Sequence, residues 1–387
     1  MDQRTNQMLF ALLRSAIRGT SLTEEERNCY SPDLLEALLK ISYKHDVIHL
    51  LVFGLKQNEL LSQENSDIEK YILKAVYRYE RIRYEYENLC AALEKAQIPF
   101  LPLKGAVLCQ YYSEPWMRTS SDIDILVHRD DLDNAISYLF DNHKYVEKER
   151  ATHDVSIYSP TGIHVELHFD LIEEGRAQKA IDVLQSVWEN VTLHENSGYW
   201  HEMNDEYFYF YHIAHMAKHF ENGGCGIRPF IDLWILDNMP NVNRSARDDL
   251  LIKGGLLKFA NASRRLSKMW FGDKASDKFS LQMQNFLLHG GVYGSSDNRV
   301  AIQQKKSGGR IGYIFSRMFI PYSKLKRYYP ILEKRRWLMP VMQVRRWFML
   351  LNPNVAKMAK REMAKNVILT KSEADEMSDF LDYMGLK

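Results

Sequence analysis

Two short runs carry the residues that could do chemistry. In Arg118-Thr-Ser-Ser-Asp-Ile-Asp-Ile-Leu-Val127, Asp122 and Asp124 stand two residues apart in an alternating, β-branched stretch. A strand there projects both carboxylates from one face. In Ile163-His-Val-Glu-Leu-His-Phe169 the same alternation places His164, Glu166 and His168 on one face and Val165 and Leu167 on the other. Three carboxylates brought together repel one another unless a cation lies among them. Oxygen donors suit hard divalent ions such as Mg²⁺ or Mn²⁺, and two such ions about 3.5–4 Å apart serve in-line phosphoryl chemistry. The pattern therefore predicts Asp122, Asp124 and Glu166 as metal ligands and catalytic acids.

Phosphates need donors close by. Lys104-Gly105 follows the apolar run Ile98-Pro-Phe-Leu-Pro-Leu103, which reads as a strand that turns into a helix over 106–112. The free N–H groups and dipole of a helix start favour phosphate. Arg118, Thr119, Ser120 and Ser121 add charged and neutral donors just before the acidic run. A D-x-D pair alone is usually a solvated face, and Lys-Gly alone a turn. In this order, together with an inward acid on a hairpin strand, they supply the parts that phosphoryl transfer requires.

Further along, His212, His215 and His219 fall on one helix, with Lys218 between them and Arg228 and Asp232 beyond a Gly223-Gly224-Cys225-Gly226 loop. Zinc is disfavoured, because no Glu occupies the H-E-x-x-H position and no cysteine is near in sequence. His168, His215, Lys218, His219, Arg228 and Asp232 are read as contacts to a nucleotide. Core-facing histidines and a structural Arg228–Asp232 pair at i and i+4 remain the alternatives.

The elements that must position these residues form an α+β chain. Residues 1–97 read as a helical region whose last helix, 66–96, carries one apolar stripe; Ser31-Pro32 gives a cap and first turn to an earlier helix. Residues 98–195 form the sheet-bearing core, with strands at 122–127, 145–148, 154–158 and 163–169, a helix at 130–142 and a Ser159-Pro160-Thr161-Gly162 turn. Residues 196–300 read as a second helical domain, able to close over a nucleotide, with helices at 205–220 and 229–236. Residues 301–387 form a basic, aromatic helical tail.

At 387 residues, 45% hydrophobic and 26% charged, the chain is an ordinary folded protein with more than one core. Fifty-one Lys and Arg nearly balance fifty Asp and Glu, but fifteen of the cations lie between Lys305 and Arg361 against a single acid, Glu333. With Tyr313, Phe315, Tyr328, Tyr329, Trp337 and Trp347 interleaved, this tail fits an anionic membrane surface and, less well, a polynucleotide. Pro340 breaks it into separate helices. Four scattered cysteines with no C-x-x-C spacing read as reduced thiols. No signal segment and no run of roughly 20 apolar residues is apparent, so the cytoplasm is the expected compartment.

Residues from about 98 to 171 resemble the nucleotidyltransferase core of the DNA polymerase β superfamily, and specifically a group of bacterial nucleotidyltransferases that carry L-K-G, then R-x-x-S-D-I-D-I-L-V, then H-V-E-L-H. The likeness extends to His215-x-x-x-His219, Arg228-x-x-x-Asp232-Leu233 and the Trp-Leu-x-Pro stretch at 337–340. It implies a mixed sheet with two helices on one face, flanked by helical units at both ends. Asp122 and Asp124 would bind two divalent ions, with Glu166 as the third carboxylate and the group that takes the acceptor's proton. Members of this kind move a nucleoside monophosphate from a triphosphate to an acceptor hydroxyl of a small molecule or protein and release pyrophosphate. The chain departs from the superfamily in having Lys-Gly where Gly-Ser or Gly-Gly is usual, and a longer gap to the first Asp. The competing classes are a nucleotide-binding or interaction module without turnover, and a membrane-surface or RNA-binding protein acting through the tail.

Overall fold

The computed structural model describes residues 2–386 except 152, 173–177 and 293. Five strands make the main sheet: β1 (Phe100–Pro102), β2 (Asp122–Val127), β3 (Val146–Arg150), β4 (Asp154–Tyr158) and β5 (His164–His168), in the order β1-β2-β5-β4-β3. The sheet is mixed, since β2 and β5 run parallel while β1–β2, β5–β4 and β4–β3 are antiparallel. With helices flanking it, the fold is α+β, as the resemblance implies.

Alternation decides which side of the sheet is dry. Ile123, Ile125, Val127, Val155, Ile157, Val165 and Leu167 are all buried on one face. There they join Leu89 and Leu93 of the helix Lys70–Lys95 and Leu132, Ile136 and Leu139 of the helix Leu132–His143 in one core. Each such side chain contributes roughly 1.5–3 kcal/mol on burial. Two helices on one face leave the opposite, polar face of the same strands to carry the site.

The expected elements form, with local shifts that have physical reasons. The helix expected over 66–96 opens as a 3₁₀ segment, Gln63–Glu69, before the α-helix Lys70–Lys95. Ser31 does not cap its helix: its hydroxyl bonds the Asp33 carboxylate, and Pro32–Leu34 forms a 3₁₀ turn before the helix Leu35–Lys44. The strand expected at 145–148 begins one residue later, because Lys144 takes a left-handed backbone (φ 58°) and Tyr145 turns into the core. Its five residues Val-Glu-Lys-Glu-Arg are all exposed, a charged edge that discourages further pairing. At 159–162 the turn closes through Gly162 N–H to Ser159 O, 2.9 Å, with Gly162 at φ 82°.

A hairpin the alternation did not suggest, β6 (Val191–Leu193) with β7 (His201–Met203), attaches beside β1 through Phe100 N–H to Tyr199 O, 2.9 Å. Its connection is held by the Glu94 carboxylate, which accepts from the N–H groups of Gly198, Tyr199 and Trp200 and the Ser197 hydroxyl. The helices Asp205–Glu221 and Arg228–Asp237 follow as expected. Pro340 lies in the first turn of the helix Met339–Trp347, where a missing N–H costs nothing.

The chain divides into two compact units, Met1–Lys218 with Gly226–Leu288, and His219–Cys225 with His289–Lys387. No helix among the described residues is long and apolar enough to cross a membrane.

Candidate metal centre and its buried ionic support

Register builds the centre. Asp122 pairs with His164 and Asp124 with Glu166 across the parallel β2–β5 ladder, and Leu126 with His168. Residues directly opposite share a face, so the two aspartates, the glutamate and both histidines converge on the polar side of the sheet. Asp122, His164 and Glu166 form one set whose ligand atoms all lie within 4.8 Å of one another, and Asp124, Glu166 and His168 form a second. Glu166 belongs to both.

The protein partly offsets this negative charge itself. Lys104 Nζ stands 3.5 Å from Asp124 Oδ1, and His168 Nε2 is 2.9 Å from the same oxygen and 3.4 Å from Glu166 Oε2. Burial works against the charged form of Asp124, but Lys104 and His168 outweigh it and hold its carboxyl below the usual range. Asp122 goes the other way: burial and the neighbouring Asp124 push its carboxyl up, despite the Ser120 hydroxyl. The His168 imidazole, buried among carboxylates that bond it, is raised in spite of its burial. Lys218 of the helix Asp205–Glu221 is pulled down to about 8 by burial and by Lys104, with Glu166, Asp154 and Asp124 opposing.

Lys104 reaches its place at a cost. Its φ of 40° lies in the left-handed region that non-glycine residues avoid, a strain of order 1–3 kcal/mol typical of functional turns. The helix it opens, Lys104–Leu108, starts two residues earlier than expected and is only five residues long, so its dipole is small. Gly105 is required by close approach, since a Cβ there would sit 2.9 Å from Ser120 Oγ. Ser120 in turn donates to the Asp122 backbone and carboxylate oxygens, 3.0 Å each, and its carbonyl accepts from Arg78 at 2.5 Å. Ser121 is exposed at the start of β2.

Arg118 and Asp232, both expected as nucleotide contacts, meet each other. Arg118 Nε and Nη2 donate to the two Asp232 oxygens at 3.1 and 3.2 Å, and Tyr112 Oη donates to Oδ1 at 2.7 Å, all buried. Arg228 reaches Asp46 Oδ2 at 3.0 Å and Thr119 O at 2.9 Å. The i, i+4 pairing of Arg228 with Asp232 is therefore replaced by longer-range partners, because both side chains point from their helix toward the loop that precedes β2. Among the helix histidines, His212 Nε2 bonds Pro229 O at 3.0 Å, the His215 ring lies 6.4 Å from Tyr211, and His219 belongs to the smaller unit. The glycine loop is approached by its own chain rather than left open: a Cβ on Gly223, at φ 112°, would meet Ser295 O at 2.6 Å.

The strand expected at 154–158 forms as β4, and it brings two further polar residues to the site that were not among the candidates. Asp154 lies opposite His168 and Ser156 opposite Glu166, on the face of the acids. His153 Nε2 is 3.1 Å from Asp154, and Ser156 Oγ 3.1 Å from His164 Nε2. The alternation of Asp-Val-Ser-Ile-Tyr held that signal. Behind Gly105 and Ser120 lies a cavity of about 250 Å³ walled by Tyr79, Ile82, Tyr86 and Trp200; the first three share the apolar stripe of the helix Lys70–Lys95, but nothing local in the sequence joins Trp200 to them.

A family profile described as uncharacterised nucleotidyltransferase matches residues 32–272, which span the sheet, the acids and the Arg118–Asp232 pair. The chain belongs to this family. No curated protein and no solved structure matches it. Nucleotidyl transfer is thus the general role of this nucleotidyltransferase fold, and its clustered acids are a candidate metal site. The basic tail lies outside the matched span.

Proposed function

We propose that this nucleotidyltransferase moves a nucleoside monophosphate from a triphosphate to an acceptor hydroxyl, with Asp122, Asp124 and Glu166 holding Mg²⁺ or Mn²⁺. The observation that carries the reading is the pair of overlapping ligand sets on adjacent parallel strands, both using Glu166. The donor chemistry fits divalent ions: carboxylates predominate, and the imidazoles extend the set toward Mn²⁺. Ions held by Asp122, Asp124 and Glu166 would supply the positive charge that neutralises charge developing on the phosphates.

The chain's own residues do the rest. The acceptor oxygen bonds to the α-phosphorus, the α–β bridging bond breaks, and pyrophosphate departs; Glu166 takes the acceptor's proton. Lys104 and Lys218, cations on the acidic side of the sheet, bind the triphosphate with Gly105, Ser120 and Ser121. His168 fixes the Asp124 carboxylate through its 2.9 Å bond. The aromatic cavity behind Ser120 suits a stacked ring. His215 and His219 are carried as nucleotide contacts, whereas Arg118, Arg228 and Asp232 act on the nucleotide through the loop they hold. We also assign residues 1–97, 98–195, 196–300 and 301–387 to helical, catalytic, helical and tail segments of a cytoplasmic enzyme.

The test is incubation with Mg²⁺ or Mn²⁺, each labelled triphosphate and a cell extract. Wild type should transfer label and release pyrophosphate, and Asp122→Ala/Asp124→Ala should lose at least about 10³-fold. Activity retained by the double variant would overturn the assignment. A second reading, a nucleotide-binding module without turnover, is favoured by the charge that Lys104 and His168 already cancel at Asp124; nucleotide binding without pyrophosphate release would select it.

A further inference from the structure

In the smaller unit, apolar side chains face water at helical spacing. Along the helix Arg310–Met318, Ile311, Phe315 and Met318 are 72%, 57% and 44% exposed, and Ile314 joins the same stripe, while Tyr313 on the other side is fully buried. The helix Met339–Trp347 repeats the pattern with Val341, Val344 and then Phe348, which is 65% exposed. The two stripes belong to one surface. Phe319 stacks on Phe315 with ring centroids 6.3 Å apart and meets Trp347 edge-on at 5.4 Å, and Trp347 Nε1 donates to Met318 O at 2.9 Å. Contiguous exposed apolar area of this kind marks an interaction face.

The charges around it choose the occupant. Among the described residues, no carboxylate lies within ion-pair distance of Lys324, Lys334, Arg335, Arg336, Arg345 or Arg346. Arg336 and Arg345 lie over the Tyr322 and Tyr329 rings, 4.6 and 5.5 Å from the centroids. A second copy of this face would bring like charges together, and a polynucleotide would engage the cations but leave the Ile311, Met318 and Val344 side chains in water. A negatively charged lipid surface satisfies both features, because its headgroups meet the cations and its acyl boundary receives the apolar stripe. We propose that the Arg310–Met318 and Met339–Trp347 helices form a docking face for anionic lipid bilayers, lying in the interface rather than crossing it.

The test is co-sedimentation of the full chain with vesicles of phosphatidylcholine alone and of phosphatidylcholine with phosphatidylserine. Binding to the anionic vesicles should exceed binding to neutral ones by at least about tenfold. Phe315→Ser/Phe348→Ser, exposed positions whose change should leave the melting temperature intact, should weaken anionic binding by at least about tenfold. Asp122→Ala/Asp124→Ala should bind as wild type does, which separates this result from any result on catalysis. Absence of vesicle binding, equal binding to both vesicles, or anionic binding that the Phe315/Phe348 change leaves untouched would overturn the proposal. A concentration-dependent dimer lost in the same variant, with no vesicle binding, would give the face to a second copy instead.

Discussion

Two clusters of charge lie on either side of the loop that leads into β2, and they are built on opposite terms. Around Arg118 every carboxylate is met by a cation: Arg118 meets Asp232, Arg228 and Arg78 both meet Asp46, and Tyr112 completes the shell of Asp232. On the polar face of the sheet three carboxylates gather around Lys104 and the histidines, and Asp122 is left with its carboxyl pushed up by burial and by Asp124. A network in which every carboxylate is bonded to a cation fixes a shape. One with carboxylates in surplus keeps electrostatic strain that an added cation relieves. The contrast explains why arginines beside an acidic strand need not touch a phosphate: they hold the backbone from which Ser120 and Asp122 are aimed.

The sharpest way to break the comparison is to remove one acid from each cluster. Asp232→Asn leaves Arg118 buried without its counter-charge, and the expected loss is about 3–5 kcal/mol in urea unfolding. A variant as stable as wild type would show the network to be dispensable.

Acid tests the same network from its neutral neighbours. Burial holds His45 and His49 down to about 4 from 6.5, and His49 Nε2 bonds Met117 O at 2.9 Å beside Asp46, Arg228 and Arg78. Their folded pKa values are depressed, so the unfolded chain binds more protons between the two values. Stability is fully present above about pH 6.5 and falls as pH drops toward about 4, by up to about 3 kcal/mol per group. Melts at pH 7 and pH 4.5 should show this slope, and His49→Gln should flatten it; an unchanged slope would remove the histidine from the account.

The smallest effect is expected at the acidic centre. Asp122→Asn loses charge assistance from the Ser120 bond but relieves repulsion from Asp124 and Glu166, so stability without metal should change by less than about 1 kcal/mol. Added Mn²⁺ should raise the melting temperature of wild type more than that of the variant. A loss as large as that of Asp232→Asn would mean that the acids are a structural network after all.

Much of the core was legible because strands advertise their faces. The Asp-Ile-Asp-Ile-Leu-Val run is β2 residue for residue, and Val165 and Leu167 enter the core while Glu166 does not. The same rule would have found Asp154 and Ser156. The β6–β7 hairpin was not legible, because its strands are three residues each and their connection is held by Glu94, just over a hundred residues earlier in the chain.

By itself the sequence determined the α+β core and the candidate acids, since a period of two forces residues at i and i+2 onto one side of a strand whatever lies around it. Tertiary structure alone decided which acids meet, through the parallel register of β2 and β5, and which arginines are spent on structure. Local spacing suggested a bond between Arg228 and Asp232. Asp46 and Arg118 prevail because packing brings them closer in space than their distance along the chain reveals.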